Sequence, residues 1–74
     1  MDFDQLRAFA AVFEHQSFSR AADAIHLSQP TVSFQIRALE EALGARLLDR
    51  TSRGVRATAA GRVLHEYATR LLAL

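Results

Sequence analysis

A mostly α-helical fold with one small β-hairpin follows from three features of this 74-residue chain. Apolar residues recur at helical spacing in four separate stretches, as amphipathic helices require. The first three stretches are joined by very short connections that carry capping residues. Before the fourth, the period breaks at Thr51-Ser52-Arg53-Gly54. Leu47, Leu48 and Arg50 precede this turn and Val55-Arg56-Ala57-Thr58 follows it, which predicts two short strands. Half of the residues are apolar, Gly and Pro number three and one, and no repeat or low-complexity segment appears. One compact domain is expected, with a core that buries only about 60–65% of the unfolded chain's surface.

Helix 1 is predicted over Phe3 to His15. Asp2 with Gln5 three residues later has the form of a capping box, and Phe3, Leu6, Phe9 and Phe13 supply the apolar stripe. Gln16, Ser17 and Phe18 break the pattern. Ser19 then serves as N-cap for helix 2, from Arg20 to about His26, with Ala21, Ala22 and Ile25 on one face. The two alanines permit another helix to cross closely, and the His26-Leu27-Ser28 turn leads directly into it.

Helix 3 is predicted over Gln29 to Leu43. Ser28 caps its first amides, Pro30 sits in the first turn where a missing N–H costs nothing, and Gly44 ends it in the left-handed conformation. Val32, Ile36, Leu39 and Leu43 form the inward stripe. The outward face carries Pro30, Thr31, Ser33, Phe34 and Arg37 toward its start and the acids Glu40 and Glu41 toward its end.

Helix 4 follows Thr58 and runs for about 15 residues, or about 22 Å. Ala60, Leu64, Tyr67, Leu71 and Leu74 alternate at spacings of four and three, the seam of a coiled coil or helix pair. Its uncapped end, Leu71-Leu72-Ala73-Leu74, implies a natural chain that continues. Residues 1–58 are therefore expected to form the head and residues 59–74 a linker helix for dimerisation.

The net charge of +1 conceals an asymmetry. Residues 1–45 carry three Arg against six acids, and residues 46–74 carry six Arg against two. Every basic residue apart from the histidines is Arg, which favours forked contacts to phosphate or carboxylate. Disulfides and thiolate metal sites are excluded by the lack of cysteine. The N-terminus MDFDQ has no signal-peptide character and no apolar run long enough to span a membrane, so a soluble cytoplasmic protein is expected.

Three short helices, a wing and a long apolar helix make a winged helix-turn-helix whose third helix enters the DNA major groove. A helix about 10–12 Å across fits that groove, and its N-terminus offers free N–H groups and positive dipole to phosphates. Gln29 suits a bidentate contact to adenine, while Pro30, Thr31 and Phe34 offer apolar contact to a thymine methyl. Ser33 adds a hydroxyl at the base edges, and Arg53 at the wing tip suits a narrow minor groove. Ser17, Ser28, Arg37 and Arg50 are assigned to the DNA backbone, and Ala60, Leu64, Tyr67, Leu71 and Leu74 to dimerisation.

No catalytic constellation competes with this. His15, His26 and His65 are isolated, and no HExxH, glycine-rich phosphate loop or nucleophile elbow is present. An enzyme, a metal site or a cofactor is not expected in this segment.

Residues 28–61, SQPTVSFQIRALEEALGARLLDRTSRGVRATAAG, resemble the N-terminal DNA-binding domain of the LysR-type transcriptional regulators. The resemblance is carried by Ser28-Gln29-Pro30, Ser33, Gln35-Ile36, Leu39-Glu40, Leu43-Gly44, Arg50 and Thr58-Ala60-Gly61. Upstream, Leu6 to Phe9 and Phe18-Ser19-Arg20-Ala21-Ala22 extend it across essentially the whole chain. Leu48 stands where that family usually has Phe, and Phe34 where a polar or basic residue is common.

The resemblance implies a bacterial regulator of transcription acting on double-stranded promoter DNA at the nucleoid. It implies base contacts from Gln29, Pro30, Thr31, Ser33 and position 34, and a minor-groove contact from Arg53. It further implies a homodimer on an interrupted dyad, tetramers of the full-length protein, and a small co-inducer bound only by a C-terminal domain outside these residues. Two alternatives remain beside it: a different winged-helix regulator with a similar head, such as a molybdate-type repressor, and a winged helix that docks a protein through Phe34. Salt separates the classes, because neutralising about four to six phosphates gives a log–log slope near −4 to −5.

Overall fold

The computed structural model describes every residue, Met1–Leu74, in the order α1 (Phe3–His15), α2 (Phe18–Ala24), α3 (Gln29–Leu43), β1 (Leu48–Thr51), β2 (Gly54–Ala57) and α4 (Ala59–Ala73). This is the expected winged helix-turn-helix with a long C-terminal helix. At its centre is α1, packed on α2, α3, α4 and β2. Its capping box is reciprocal: the Gln5 N–H donates to Asp2 Oδ1 at 2.8 Å and the Asp2 N–H donates to Gln5 Oε1 at 3.2 Å. With neighbours on several sides, α1 buries Leu6, Ala8, Phe9, Ala10, Ala11 and Val12. The expected stripe is too long at its start, because Phe3 opens the helix ahead of these contacts and stays 57% exposed.

Helix α2 corrects the sequence reading at both ends. Ser17, not Ser19, is the N-cap, its Oγ accepting the Arg20 N–H at 3.2 Å, and Ala24, not His26, is the last helical residue. Starting earlier makes Phe18 the first helical residue and buries it in the core with Ala21 and Ala22. The chain then reverses through His26 at φ 58°, with the Leu27 N–H returning to the Ala22 carbonyl.

Helix α3 has the expected limits, with Ser28 as N-cap and Gly44 at φ 65° closing it. Val32, Ile36 and Leu39 are buried, but Leu43 is 42% exposed. Glu40, three residues earlier, also departs from the expected pattern. Assigned from sequence to the outer face, its carboxylate instead turns toward the wing and accepts the N–H groups of Leu47 at 2.7 Å and Leu48 at 3.3 Å. Two amides that would otherwise lack a partner at the start of the hairpin are satisfied this way.

The strands pair antiparallel, Leu48 with Ala57, Asp49 with Arg56, Arg50 with Val55 and Thr51 with Gly54. Leu48 and Val55 join Leu47 in fixing the hairpin to the helical core. Thr58 caps α4 and ties it to the wing's base: its Oγ1 accepts the Gly61 N–H at 3.0 Å and donates to the Arg46 carbonyl at 2.6 Å. Gly61 is needed here, since a Cβ would overlap the Leu47 carbonyl oxygen.

The inner face of α4 consists of Gly61, Leu64, His65, Ala68 and Leu72. His65 stacks on Phe13 with ring centroids 3.8 Å apart and 8° between planes, and its Nε2 lies 3.4 Å from Glu14 Oε2. The predicted seam is therefore split: Leu64 packs against the domain's own core, while Ala60, Tyr67, Leu71 and Leu74 are exposed beside Val63. Phe9, Leu39, Leu47, Val12 and Val32 are the largest fully buried side chains, each worth about 1.5–3 kcal/mol relative to exposure.

Candidate nucleic-acid interface

Three adjoining grooves form one surface around the start of α3, because Ser17 and Arg50 each line two of them. The first lies between the end of α1 and the wing and is lined by His15, Ser17, Arg20, Arg53 and Arg56. Ser17 passes into the second, where Gln29 of α3 faces Thr51 and Gly54 of the wing. Through Arg50 this opens onto the third, beside Ser33 and Arg37. No carboxylate lines the first two, and Glu40 in the third is engaged with backbone amides. The first turn of α3 also holds no acidic residue, which leaves its positive end uncompensated.

The side chains assigned to DNA from sequence differ in their freedom. Gln29, Pro30, Thr31 and Phe34 are all exposed, Phe34 at 63%. Ser28 is committed to the cap: its Oγ accepts the Thr31 N–H at 3.2 Å and donates to Thr31 Oγ1 at 2.8 Å. Ser17 is half-buried and likewise caps a helix. Ser33 is half-buried and receives Arg50 Nη2 at 3.3 Å.

Arg50 is the group whose position the sequence reading described least well. Strand alternation puts it on the same face as Leu48, and its guanidinium lies 4.0 Å from the centroid of the Phe18 ring. Stacked on α2 and bonded to α3 while belonging to β1, Arg50 couples the wing to both helices of the helix-turn-helix. Such a contact contributes about 0.5–2 kcal/mol and fixes where the guanidinium can meet a phosphate. Arg53 stands at the wing tip, its backbone N–H held by Thr51 Oγ1 at 3.2 Å. Arg37 is exposed one turn beyond Phe34.

Arg20 has no role assigned from sequence and Arg56 only its place among the basic groups on the wing's flanks, yet both line the same groove as Arg53. Arg56 had a signal available: it alternates with buried Val55 and must face away from the core. Arg20 had none: its place in the first turn of helix 2 follows from the sequence, but its nearness to the wing is set by tertiary packing. Among ionisable clusters, no group of three or more His, Asp or Glu is arranged to hold a metal ion. No helix is long and apolar enough to cross a membrane.

Comparison with known proteins gives the same arrangement a family. The model of the bacterial regulatory helix-turn-helix protein, lysR family, matches residues 3–62. The SDS degradation transcriptional activation protein of a Pseudomonas species is 56% identical over 71 residues, covering 96% of this chain and 23% of that protein. The curated relatives are longer, and this chain spans between 23% and 51% of their length. Among solved structures, the BenM_DBD/catB site 1 DNA complex overlays with a TM-score of 0.94 at 48% identity, covering 99% of this chain and 82% of that one. The CbnR_DBD–DNA complex does so with a TM-score of 0.94 at 45% identity, covering 99% and 84%. With 60 of 74 residues inside the family model and the same fold in its solved members, this chain belongs to the LysR family of bacterial regulatory helix-turn-helix proteins.

Proposed function

We propose that this chain is the sequence-specific, double-stranded DNA-binding head of a bacterial transcription regulator. In this reading α3 enters the major groove and the wing arginines lie at the minor groove and backbone. The observation that carries it is the continuous surface joining Gln29, Ser33 and Arg37 of α3 to Arg20, Arg50, Arg53 and Arg56. Its support from comparison is that the BenM and CbnR domains, which share this fold, were solved with DNA. Gln29, Pro30, Thr31, Ser33, Phe34 and Arg53 are the proposed base-facing residues; Ser17, Ser28, Arg37 and Arg50 are assigned to the backbone.

Two heads are proposed to pair through the outer side of α4, where Val63, Tyr67 and Leu71 are 58%, 56% and 37% exposed and Ala60 and Leu74 lie on the same side. Two-fold protein symmetry calls for two-fold DNA symmetry, hence an interrupted dyad. The role is binding without catalysis, in keeping with relatives named as transcriptional regulators. It uses side chains and amides of this chain alone and calls for no metal or cofactor, and it puts the protein with DNA in the cytoplasm. A co-inducer would act on parts of a longer protein outside residues 1–74.

The test is a titration of the 74-residue chain onto duplexes carrying an interrupted dyad, at several salt concentrations. A log–log slope near −4 to −5 with preference for the dyad over a scrambled duplex is expected. Flat salt dependence, or no binding by a dimer of confirmed mass, would overturn the reading.

A further inference from the structure

We propose that α3 reads pyrimidine 5-methyl groups through Phe34, so that 5-methylcytosine replaces thymine without loss at the base step beneath it. This rests on the DNA-binding reading above and specifies what is recognised.

Successive side chains of a helix are about 100° apart, and the buried Val32, Ile36 and Leu39 mark the inward direction of α3. Pro30, Phe34 and Arg37, with Glu41 near the far end, then lie furthest from the core. Pro30 has no N–H to give, and the Thr31 and Ser33 oxygens each already accept a bond, from Ser28 Oγ at 2.8 Å and from Arg50 Nη2 at 3.3 Å. Their O–H groups, with Gln29 and Arg37, are the polar readers on either side. A base edge directly beneath Phe34 is met by its ring, which offers carbon and neither a donor nor an acceptor.

In the major groove the complementary feature is the C5-methyl group of thymine. Thymine and cytosine also differ there, as an O4 acceptor against an N4 donor, but an aromatic ring has no group with which to distinguish these. What it distinguishes is methyl from hydrogen at C5. Because Phe34 is 63% exposed and makes no aromatic contact within the chain, its ring is free to close over such a methyl. Burying one methyl-sized group corresponds to about a fourfold change in affinity.

The experiment first enriches a bound duplex from a library with randomised half-sites. That duplex is then remade with thymine, uracil, cytosine or 5-methylcytosine at each pyrimidine position of both half-sites, and bound to the chain and to Phe34→Ala and Phe34→Leu variants. At one position per half-site, thymine and 5-methylcytosine should bind alike, with uracil and cytosine about fourfold weaker for each half-site. Phe34→Leu should keep that order and Phe34→Ala should abolish it, with helix content unchanged because the side chain is exposed. The proposal is overturned if no position separates uracil from thymine, or if the order persists in Phe34→Ala; a protein surface would then be the better assignment for Phe34. Failure of the unaltered chain to bind any duplex at low salt would instead overturn the DNA-binding reading beneath it.

Discussion

Replacing Gly61 with alanine should destabilise the protein, although helix propensity alone predicts the opposite sign. Gly61 lies in the first turn of α4, and alanine is favoured over glycine in helix interiors by about 1 kcal/mol. Against that gain, the new Cβ would overlap the Leu47 carbonyl oxygen and meet its carbonyl carbon at 3.1 Å and its Cα at 3.4 Å. These are backbone atoms with little room to yield. The Leu47 carbonyl accepts the Thr58 N–H at 3.0 Å, its N–H donates to Glu40 at 2.7 Å, and its side chain is 1% exposed. Relief therefore requires α4 to lift from the base of the wing. Overpacking typically costs about 1–3 kcal/mol, and without a rotamer to absorb it the upper end applies, leaving a net loss of about 2 kcal/mol. For a domain of this size Tm should fall by roughly 8–16 °C. Thermal and urea unfolding followed by circular dichroism, at fixed protein concentration, measure this directly. Ala59→Gly, at an exposed position of the same turn, provides the propensity term alone. An unchanged or raised Tm for Gly61→Ala would refute the close approach on which the argument stands.

Further perturbations test the other ties around the interface. Glu40→Ala removes the acceptor of two backbone amides and should lower stability by about 2–4 kcal/mol in urea unfolding, whereas Glu40→Gln, which keeps an oxygen there, should lose less. Arg50→Lys preserves charge but not the planar fork that stacks on Phe18 while reaching Ser33, so DNA affinity should fall about severalfold with an unchanged salt slope. Arg37→Ala, at a proposed backbone contact, should instead make the log–log slope less negative by about 1 for each head bound. Leu71→Glu, on the outer side of α4, should shift the mass in solution toward the monomer while leaving helix content intact.

Much of this fold was legible because its signals are local. The Asp2–Gln5 capping box, Ser28 with Pro30, and Gly44 state the limits of α1 and α3, since caps satisfy the amides of their own helix. Pro30, Thr31, Phe34 and Arg37 are outward by the same periodicity that marks Val32, Ile36 and Leu39 as inward, whereas Ser33, read as outward with them, is half-buried and bonded to Arg50. The errors lie where two serines compete. Ser17 and Ser19 are equivalent as caps, and the choice is made by whether Phe18 is buried, which depends on α1, α3 and the wing being in place. Leu43 and Phe3 fit their stripes by spacing, yet lie beyond the reach of neighbouring elements.

By itself, then, the sequence determined the order and type of the elements, the caps, the outward start of α3 and the family, because each depends on neighbours within about a turn of chain or on motif residues. Tertiary structure decided what those residues face. It turned Glu40 from a presumed surface acid into the acceptor for the wing's first amides and laid Arg50 over Phe18. It also placed Arg20 beside Arg53 and divided the α4 seam between Leu64 inside and Tyr67 and Leu71 outside. Periodicity tells which side of an element is buried, but a polar side chain at the boundary goes where an unsatisfied group or a ring happens to lie, and only the packed chain supplies that.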